Sequence, residues 1–417
     1  MEQKIRNITA FDWLTFILFL SVSAIGIGMI YSVDFHSSTQ FAFKQSAWLI
    51  ISILIGFSLF FIPTRIIKNW SSLFYLIGIL LLAGLFVFGE KISGSLSWYR
   101  IGGMSFQPSE LVKLTTTLGL AKLLSEYNFS LKNLKDIIKT VFLIGTPLLL
   151  ILLQPDVGTV ITFIALLPVL YREGLKTSLL LVLFWIIATF IITIYVGFKN
   201  TALAYLSFTF IIILYIFFKI RKQKWIFIFL TLIFLVTSVL FSLFTSFVFN
   251  HLLLPHQQKR IELMIGKIKD DKGVGYHLKQ SLIAISNGKW TGKGWLQGSQ
   301  MRGHYVPEQH TDYIFTALAE QFGWWGSLGF LALYFLLIWR IYYLAERQKT
   351  IFSRVTGYAL ASFLAVHLFI NLLMITGWFP TIGIPIIFVS YGGSSLLSFT
   401  LFLLLFLALD ARRREEY

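Results

Sequence analysis

The sequence contains no cysteine and few charged residues. Without cysteine the chain forms no disulfide, thiolate zinc site, iron–sulfur cluster or catalytic thiol. Charged residues make up 13% of the 417 residues, against about 25% in an average soluble domain. The sequence also has no HExxH motif, and its histidines lack the spacing of paired metal ligands. These absences exclude thiol chemistry and give no support to a zinc enzyme.

Long apolar runs dominate the chain. Apolar residues make up 57% of it, and the mean hydropathy is +0.77. A soluble protein could not bury this much apolar surface, and a spanning helix needs roughly 20 apolar residues. We therefore predict an all-α polytopic integral membrane protein with 10–12 transmembrane helices, forming a single domain over residues 1–417. The twelve candidate helices lie near residues 11–32, 44–63, 71–89, 109–124, 138–153, 156–171, 176–197, 202–219, 225–248, 312–339, 355–376 and 384–410.

The basic residues of the short loops predict the orientation. With the N-terminus inside, the inner segments hold 20 Lys and Arg residues, whereas the short outer loops hold only Lys91, Arg100 and Lys199. Because short cytoplasmic loops are enriched in Lys and Arg, we expect both termini in the cytoplasm. This bias also accounts for most of the net charge of +16 without any nucleic-acid partner.

Residues 249–311 are predicted to form one large outer loop. The loop holds 9 Lys and Arg, 4 Asp and Glu and 5 His residues. Long translocated loops escape the charge rule, so an anionic ligand at the outer face is the simplest explanation of the basic character. The stretch from Gly288 to Gly294 superficially resembles a phosphate-binding loop. We reject that motif because its spacer is one residue short and no Ser or Thr follows Lys293.

Within this loop, Asp270 and Asp271 form a carboxylate pair that is flanked by lysines and followed by Gly273 and Gly275. Glycine permits positive φ and close backbone approach, so the stretch is predicted to be an exposed turn. The ordinary interpretation is a solvated acidic turn. In a basic and partly dry cleft, a carboxylate would instead serve as general base or hold a metal ion. The mixed composition of residues 278–300 suits such a cleft.

The fourth apolar run carries the ionisable residues Glu110 and Lys113. Their i, i+3 spacing places them on one side of a helix, where they can pair. Pro108 and Ser109 indicate that this helix begins near the outer face, where its free N–H groups and positive dipole favour an anion. Ionisable groups inside a membrane are costly and usually functional. A structural ion pair or snorkelling side chains explain the spacing equally well.

Further polar residues are predicted at the outer ends of the helices. Each alone is more often a structural hydrogen-bonding group than a ligand, but their occurrence at one face favours a site. They are Trp98, Arg100, Asp156, His310, Asp312 and Glu320. Residues 380–395 interrupt an apolar region with Pro, Gly and Ser, which is typical of a broken segment lining a cavity or of a kinked helix. Four more predicted substrate-binding residues are Arg260, Gln280, Gln300 and Ser390.

Six segments carry a resemblance that extends over nearly the whole chain. They are Phe106–Glu110 with Lys113, Gln154–Thr159, Gly273–Tyr276, Gly292–Gln300, Pro307–Phe315 and Phe388–Ser395. With these segments in this order, the chain resembles the SEDS family (shape, elongation, division and sporulation). It is more similar to the rod-shape RodA branch than to the division FtsW branch.

The resemblance implies a peptidoglycan glycosyltransferase that polymerises lipid II on the outer face of the bacterial inner membrane during cell elongation. It implies a class B penicillin-binding protein and other membrane proteins of the elongation complex as partners. It also implies that Asp270 is the general base of an inverting transfer, and that Glu110, Lys113 and Trp98 belong to the site. Lys113, Arg100 or a divalent cation (Mg²⁺ or Mn²⁺) would stabilise the leaving diphosphate.

The chain departs from the family pattern in three respects. Asp271 occupies a position where the family often has Pro, so the choice between the two loop carboxylates stays open. Gln321 occupies the position of a second acidic residue after Glu320. The family usually has ten helices, and the surplus pair would lie at about residues 202–248.

Two other functions remain open. A flippase or other transporter of lipid-linked precursors would also have many helices, broken segments and buried charges. It should show internal repeats and charges near the membrane midplane, whereas the polar residues here are predicted at the outer face. A non-catalytic scaffold of the elongation complex would tolerate the loss of Asp270.

Overall fold

The computed structural model describes residues 11–35, 40–92, 94–102, 104–219, 223–268, 274–303 and 308–413. Within these residues, ten helices are long and apolar enough to cross a membrane. Each of the twelve predicted apolar runs contains a helix, although the fourth and sixth give shorter ones. The prediction of a helical, multi-pass membrane protein is confirmed.

The first part of the chain contains seven helices and a small sheet. Its elements are α1 (Trp13–Asp34), α2 (Phe41–Ser58), α3 (Thr64–Phe88), β1 (Glu90–Ile92), β2 (Ser95–Ile101), β3 (Met104–Phe106), α4 (Pro108–Leu124), α5 (Leu134–Leu153), α6 (Val157–Thr162) and α7 (Leu166–Arg172). The strands form an antiparallel sheet in the order β1-β2-β3, which the sequence analysis did not predict. The backbone N–H of Leu96 in β2 donates to the carbonyl of Gln154, at the end of α5.

The chain forms two compact units. The inserted unit covers residues 176–270, and the main unit covers residues 1–175 and 271–417. The inserted unit contains α8 (Thr177–Val196), α9 (Phe198–Lys219), α10 (Lys224–Phe247), a π-helical turn (Val248–Leu252) and α11 (Pro255–Met264). The main unit continues with α12 (Val274–Gly288), α13 (Ser299–Arg302), α14 (Ile314–Glu346), α15 (Ile351–Ile375) and α16 (Gly393–Ala411).

The inserted unit is held together by its own contacts. The hydroxyl groups of Thr189 in α8 and Tyr205 in α9 form a hydrogen bond of 2.5 Å, and the ring of Trp185 packs against Phe234 of α10. The predicted pair of helices at 202–248 corresponds to α9 and α10. The segment 249–311, predicted as a loop, contains the helices α11, α12 and α13.

The core of the main unit lies around α16, α15 and α4. A helix that is apolar on all sides is expected to be buried, and the α16 residues Phe402, Leu403 and Phe406 are almost inaccessible. α4 packs against α3, α15 and α16, and it is buried along nearly its whole length although it carries Glu110 and Lys113. The two charged groups therefore lie in the interior of the protein.

The chain between α15 and α16 contains no helix. Residues 380–392 have no regular secondary structure apart from turns and bends, and α16 begins only at Gly393. The prediction of a broken segment is confirmed. The helix predicted at 384–410 is wrong at its start, because its first nine residues belong to the broken segment. Pro385 lacks an N–H group, and the positive φ values of Gly383 (75°) and Phe388 (70°) are incompatible with a helix.

Candidate functional site

Glu110 and Lys113 form a buried ion pair in the first turns of α4. The Nζ of Lys113 lies 2.7 Å from Oε1 of Glu110, and the two side chains are 1% and 6% exposed, respectively. Pro108 occupies the first turn, where its missing N–H costs nothing, and an acidic residue there interacts favourably with the helix dipole. The second carboxylate oxygen of Glu110 is buried without a partner among the described residues. The predicted pairing is observed.

His367 of α15 completes this cluster. The Nζ of Lys113 lies 3.0 Å from Nε2 of His367, and Nδ1 of His367 lies 3.0 Å from the carbonyl oxygen of Pro385. A carbonyl only accepts, so Nδ1 carries the proton and Nε2 accepts from the ammonium group. The Lys113 ammonium also lies 5.6 Å from the centre of the Phe399 ring, within cation–π range. The charged pair on α4 is thereby connected to the broken segment 380–392.

The broken segment is held by side chains from several helices. Buried backbone groups need hydrogen-bond partners, and here they find them outside any helix. The Nδ2 of Asn371 donates to the carbonyls of Ile384 and Asp312, at 2.7 Å each. The amide of Gln45 donates to the carbonyl of Ser390 and accepts from the N–H of Gly392.

Ser390 itself has a structural role in this segment. It is 6% exposed, and its Oγ accepts a hydrogen bond from the N–H of Ile386 at 3.0 Å. Its own N–H donates back to the carbonyl of Ile386. These two hydrogen bonds to Ile386 close a turn. That Ser390 also contacts the substrate stays a prediction.

His310 and Asp312 lie beside the broken segment. The imidazole of His310 stacks on Phe41 at 4.5 Å, and its backbone carbonyl accepts from the N–H of Tyr391 at 2.8 Å. Burial lowers the pKa of His310, against the opposing influence of Glu308 and Asp34. Asp312 also lies close to the backbone of Gly383, which has a φ of +75°. A Cβ added at position 383 would lie only 3.1 Å from Oδ2 of Asp312, so glycine permits this close approach.

Glu320 lies in α14 and is fully buried. Its Oε1 accepts hydrogen bonds from the backbone N–H of Gln300 at 3.0 Å and from Oγ of Ser299 at 3.1 Å. The Nζ of Lys293 lies 3.4 Å from the same oxygen. The carbonyl of Gln300 in turn accepts a hydrogen bond of 3.4 Å from Nε2 of Gln309. Gln309 directly precedes His310 in the sequence. Glu320 and Gln300, both predicted site residues, are therefore in direct contact.

Asp156 caps α6. Its Oδ1 accepts from the N–H of Thr159 at 3.0 Å, and its Oδ2 accepts from the Thr159 hydroxyl at 2.9 Å and from the amide of Gln107 at 3.1 Å. This is the ordinary arrangement of an N-cap carboxylate. Both oxygens are occupied, and the Gln107 contact joins the starts of α4 and α6.

Trp98 and Arg100 lie on β2 of the small sheet. Arg100 pairs with Glu90 of β1 at 3.5 Å, and the two side chains are 60% and 51% exposed, respectively. Trp98 is half-buried and faces Glu90 in the register of the sheet. A surface ion pair of this kind contributes little stability, so the Arg100 guanidinium is available to an anion.

The remaining predicted residues are spread over both units. Arg260 lies in α11 of the inserted unit, and its Nε is buried without a partner among the described residues. Gln280 lies half-buried in α12 of the main unit. Asp270 and Asp271 lie outside the described residues. In the described part of the chain, no group of three or more His, Cys, Asp or Glu residues could hold a metal ion, so the divalent cation stays a prediction.

Comparison with known proteins identifies the family. A family model described as cell cycle protein (FtsW/RodA/SpoVE) matches residues 8–203 and 198–415. The chain belongs to this SEDS family. It is 33% identical over 337 residues to the peptidoglycan glycosyltransferase MrdB of Escherichia coli (strain K12), which covers 81% of this chain and 76% of the relative. It is 27% identical over 434 residues to the peptidoglycan glycosyltransferase RodA of Treponema pallidum (strain Nichols), with 98% and 100% covered.

Solved structures show the same fold. A chain from a peptidoglycan synthase complex, solved in work on the coordination of polymerization and crosslinking, has a TM-score of 0.70 at 24% identity, with 97% of this chain and 99% of that chain covered. The rod shape determining protein RodA of Thermus thermophilus has a TM-score of 0.61 at 22% identity, with 97% of each chain covered. The SEDS fold is thus shared over almost the full length.

Sequence analysis missed two residues that contact the predicted site residues. His367 is a single histidine in the apolar run 355–376, and that isolation was the available signal. Lys293 lies in the rejected phosphate loop and in the resembling segment Gly292–Gln300, but nothing in the sequence predicts its contact with the buried Glu320. Hydrogen bonds and short stretches of backbone connect Gln300 to Lys113. Gln309 bonds to Gln300, Asn371 bonds to both Asp312 and Ile384, and His367 bonds to Pro385 and Lys113.

Proposed function

We propose that this chain polymerises lipid II into glycan strands at the outer face of the bacterial inner membrane, with both termini in the cytoplasm. The prediction of a glycosyltransferase is confirmed by its relatives, since both MrdB and RodA are peptidoglycan glycosyltransferases. The observation that carries the proposal is the 33% identity to MrdB over 81% of the chain. The positive-inside bias supports the orientation.

The proposed reaction is an inverting glycosyl transfer. The 4-hydroxyl of an acceptor GlcNAc attacks the anomeric carbon of the donor MurNAc, and a new C–O bond forms. The bond between that carbon and the undecaprenyl diphosphate breaks, and the diphosphate leaves with the electron pair. Asp270 takes the proton of the attacking hydroxyl as general base.

Cations must stabilise the negative charge of the leaving diphosphate. Arg100 supports this role because it is 60% exposed in the sheet between α3 and α4. Lys113 is 1% exposed and is engaged with Glu110 and His367, so it would have to leave these partners to contact the diphosphate directly. In its observed position it contributes a buried positive charge beside the broken segment. A divalent cation, Mg²⁺ or Mn²⁺, would serve the same purpose.

A class B penicillin-binding protein is the proposed partner, together with other membrane proteins of the elongation complex. The similarity to a chain from a peptidoglycan synthase complex supports an assembly in which one protein polymerises and another crosslinks. A transpeptidase acting on the new glycan strand would use the product of this chain directly.

The test is an assay of the purified full-length chain with lipid II, with and without its penicillin-binding partner. We expect glycan chains from the wild type and none from Asp270→Asn. Equal activity of wild type and Asp270→Asn would contradict the proposed base. Transfer of lipid II across vesicle membranes without any polymer would instead support the transporter.

A further inference from the structure

The helix α14 is broken at Gly323, which has φ 64° and ψ −159°. In a continuous helix, the carbonyls of residues 320 and 321 would accept from the N–H groups of residues 324 and 325. Here the N–H groups of Trp324 and Trp325 donate to the carbonyls of Lys289 and Trp290, at 2.9 and 3.2 Å. The break therefore opens two helical hydrogen bonds, and the segment that follows α12 uses the freed donors.

The same segment also uses the freed acceptors. The N–H of Lys293 donates to the carbonyl of Glu320, and the N–H of Gly294 donates to the carbonyl of Gln321, at 3.0 Å each. Four hydrogen bonds to residues 289–294 thus replace the two that the break removes. Backbone groups at a buried break need such partners. We call residues 289–300 the docked segment.

Glycine makes this close contact feasible. A Cβ at position 292 would lie 2.1 Å from the carbonyl oxygen of Gln321, and one at position 323 would lie 2.3 Å from the N of Gly292. Both glycines also have positive φ values. Any side chain at either position would therefore separate the docked segment from α14.

The carboxylate of Glu320 is the ionic part of this contact. It is 0% exposed and interacts with the Lys293 ammonium, the Ser299 hydroxyl and the Gln300 N–H. A buried carboxylate is costly unless it is paired and hydrogen-bonded. Lys293 is the cation within salt-bridge distance of Glu320 among the described residues, and its side chain is 31% exposed.

We infer that Glu320 is a positioning residue: its buried Oε1, which accepts hydrogen bonds from Ser299 and Gln300, fixes the docked segment, and with it Gln300, in the orientation that receives the substrate. This inference rests on the proposed function and changes the predicted role of Glu320 from substrate contact to support. Glu320 is fully buried, whereas the docked segment has exposed residues such as Trp295. Through Gln300 and Gln309 the same carboxylate is also linked to the stretch that carries His310.

The experiment compares Lys293→Met, Glu320→Gln and the double variant in the full-length protein. Each also carries Leu296→Cys as a reporter, because the native chain has no cysteine and the Leu296 N–H bonds to Gln321. Lys293→Met leaves a buried charge without its counter-charge. We expect the thiol to label about tenfold faster and KM for lipid II to rise by a similar factor, with kcat little changed.

Glu320→Gln should have a much smaller effect than Lys293→Met. The amide oxygen still accepts from Ser299 and Gln300, and the partly exposed Lys293 can turn toward water. The double variant should therefore behave like Glu320→Gln and recover from the effect of Lys293→Met. Lys289→Met is the matched control, because it removes a positive charge from an exposed residue of the same segment. It should change neither reporter labelling nor KM.

Two results would overturn the inference. If Lys293→Met alters neither labelling nor KM, an uncompensated charge on Glu320 leaves the docked segment in place, and Glu320 does not position it. If the double variant is as impaired as Lys293→Met, Lys293 acts by contacting the substrate and not by neutralising Glu320. Labelling needs no turnover, so it reports on docking even in a preparation whose wild type fails to polymerise lipid II.

Discussion

The Nζ of Lys113 lies 3.0 Å from Nε2 of His367, although the two residues are 254 positions apart in the sequence. Lys113 also pairs with Glu110 in its own helix, and His367 donates to the carbonyl of Pro385. The contact therefore connects the start of α4 to the broken segment 380–392. A movement of this segment would alter the position of the buried charge, and a change of the charge would alter the segment.

Removing one charge of the buried Glu110–Lys113 pair should lower the stability of the protein far more than removing both. Lys113→Met leaves Glu110 as an uncompensated buried charge, which typically costs about 3–5 kcal/mol of stability. Glu110→Gln combined with Lys113→Met should regain thermal stability, because no buried charge is left. We expect the double variant to fold and yet to polymerise no lipid II, since the cation beside the broken segment is lost.

Thermal melting and lipid II polymerisation of both single variants and the double variant provide the measurement. Lys122→Met is the control, because Lys122 lies in the last turn of the same helix, is only half-buried and donates a hydrogen bond to the carbonyl of Asn69. It should leave stability and activity near wild type. A double variant that is both stable and fully active would remove Lys113 from the site.

The two loop carboxylates should differ in importance. If Asp270 is the general base, Asp270→Asn should abolish polymerisation, because the amide cannot take the proton of the attacking hydroxyl. Asp271→Asn should retain substantial activity. Glycan synthesis at matched protein levels in the membrane measures both. Equal loss in the two variants would indicate a shared metal site, which a titration with Mg²⁺ and Mn²⁺ would then reveal.

The sequence was sufficient to predict the helices and one of the contacts of the site. Hydrophobic runs of sufficient length require helices in a membrane, and the i, i+3 spacing of Glu110 and Lys113 makes them neighbours on one helix. Asp156 before Val157 is a recognisable N-cap, yet its charge at the predicted outer face was interpreted as a ligand. The cap geometry accounts for both of its oxygens.

The contacts between distant segments could not be predicted in the same way. Whether His367 meets Lys113 depends on how α15 packs against α4, which no local pattern encodes. The break at Gly323 was missed because no proline lies near it, and a single glycine within a helical pattern does not by itself predict a break. Only the close approach of Gly292 shows why the helix opens there.

Cysteine labelling should establish the orientation of the chain. Ser286 and Tyr127 are both exposed, and the charge bias predicts that they lie on opposite sides of the membrane. Ser286→Cys should react with an impermeant maleimide added to intact cells, whereas Tyr127→Cys should react only after permeabilisation. The cysteine-free chain is the background control. The reverse pattern would overturn both the orientation and the outer location of the site.

Mild acid should loosen the contact of His310 with α2 and the broken segment. Burial holds the pKa of His310 below its ordinary value of 6.5, although Glu308 and Asp34 oppose this shift. A lowered pKa means that the folded state favours the neutral imidazole. The stabilising contribution is therefore complete above pH 6.5, and it is lost as the pH falls through the folded-state pKa.

His310→Phe separates this effect from other titrations. Phenylalanine keeps an aromatic ring against Phe41, which stacks on His310 at 4.5 Å, but it takes up no proton. Melting temperatures of wild type and variant should run parallel above pH 6.5, and the wild type should fall further than the variant below it. Carboxylates titrate in both proteins, so their effect on the melting temperature cancels when one curve is subtracted from the other. If the curves stay parallel down to pH 5, the protonated imidazole is as well accommodated as the neutral one, and the stacked histidine carries no penalty for charge.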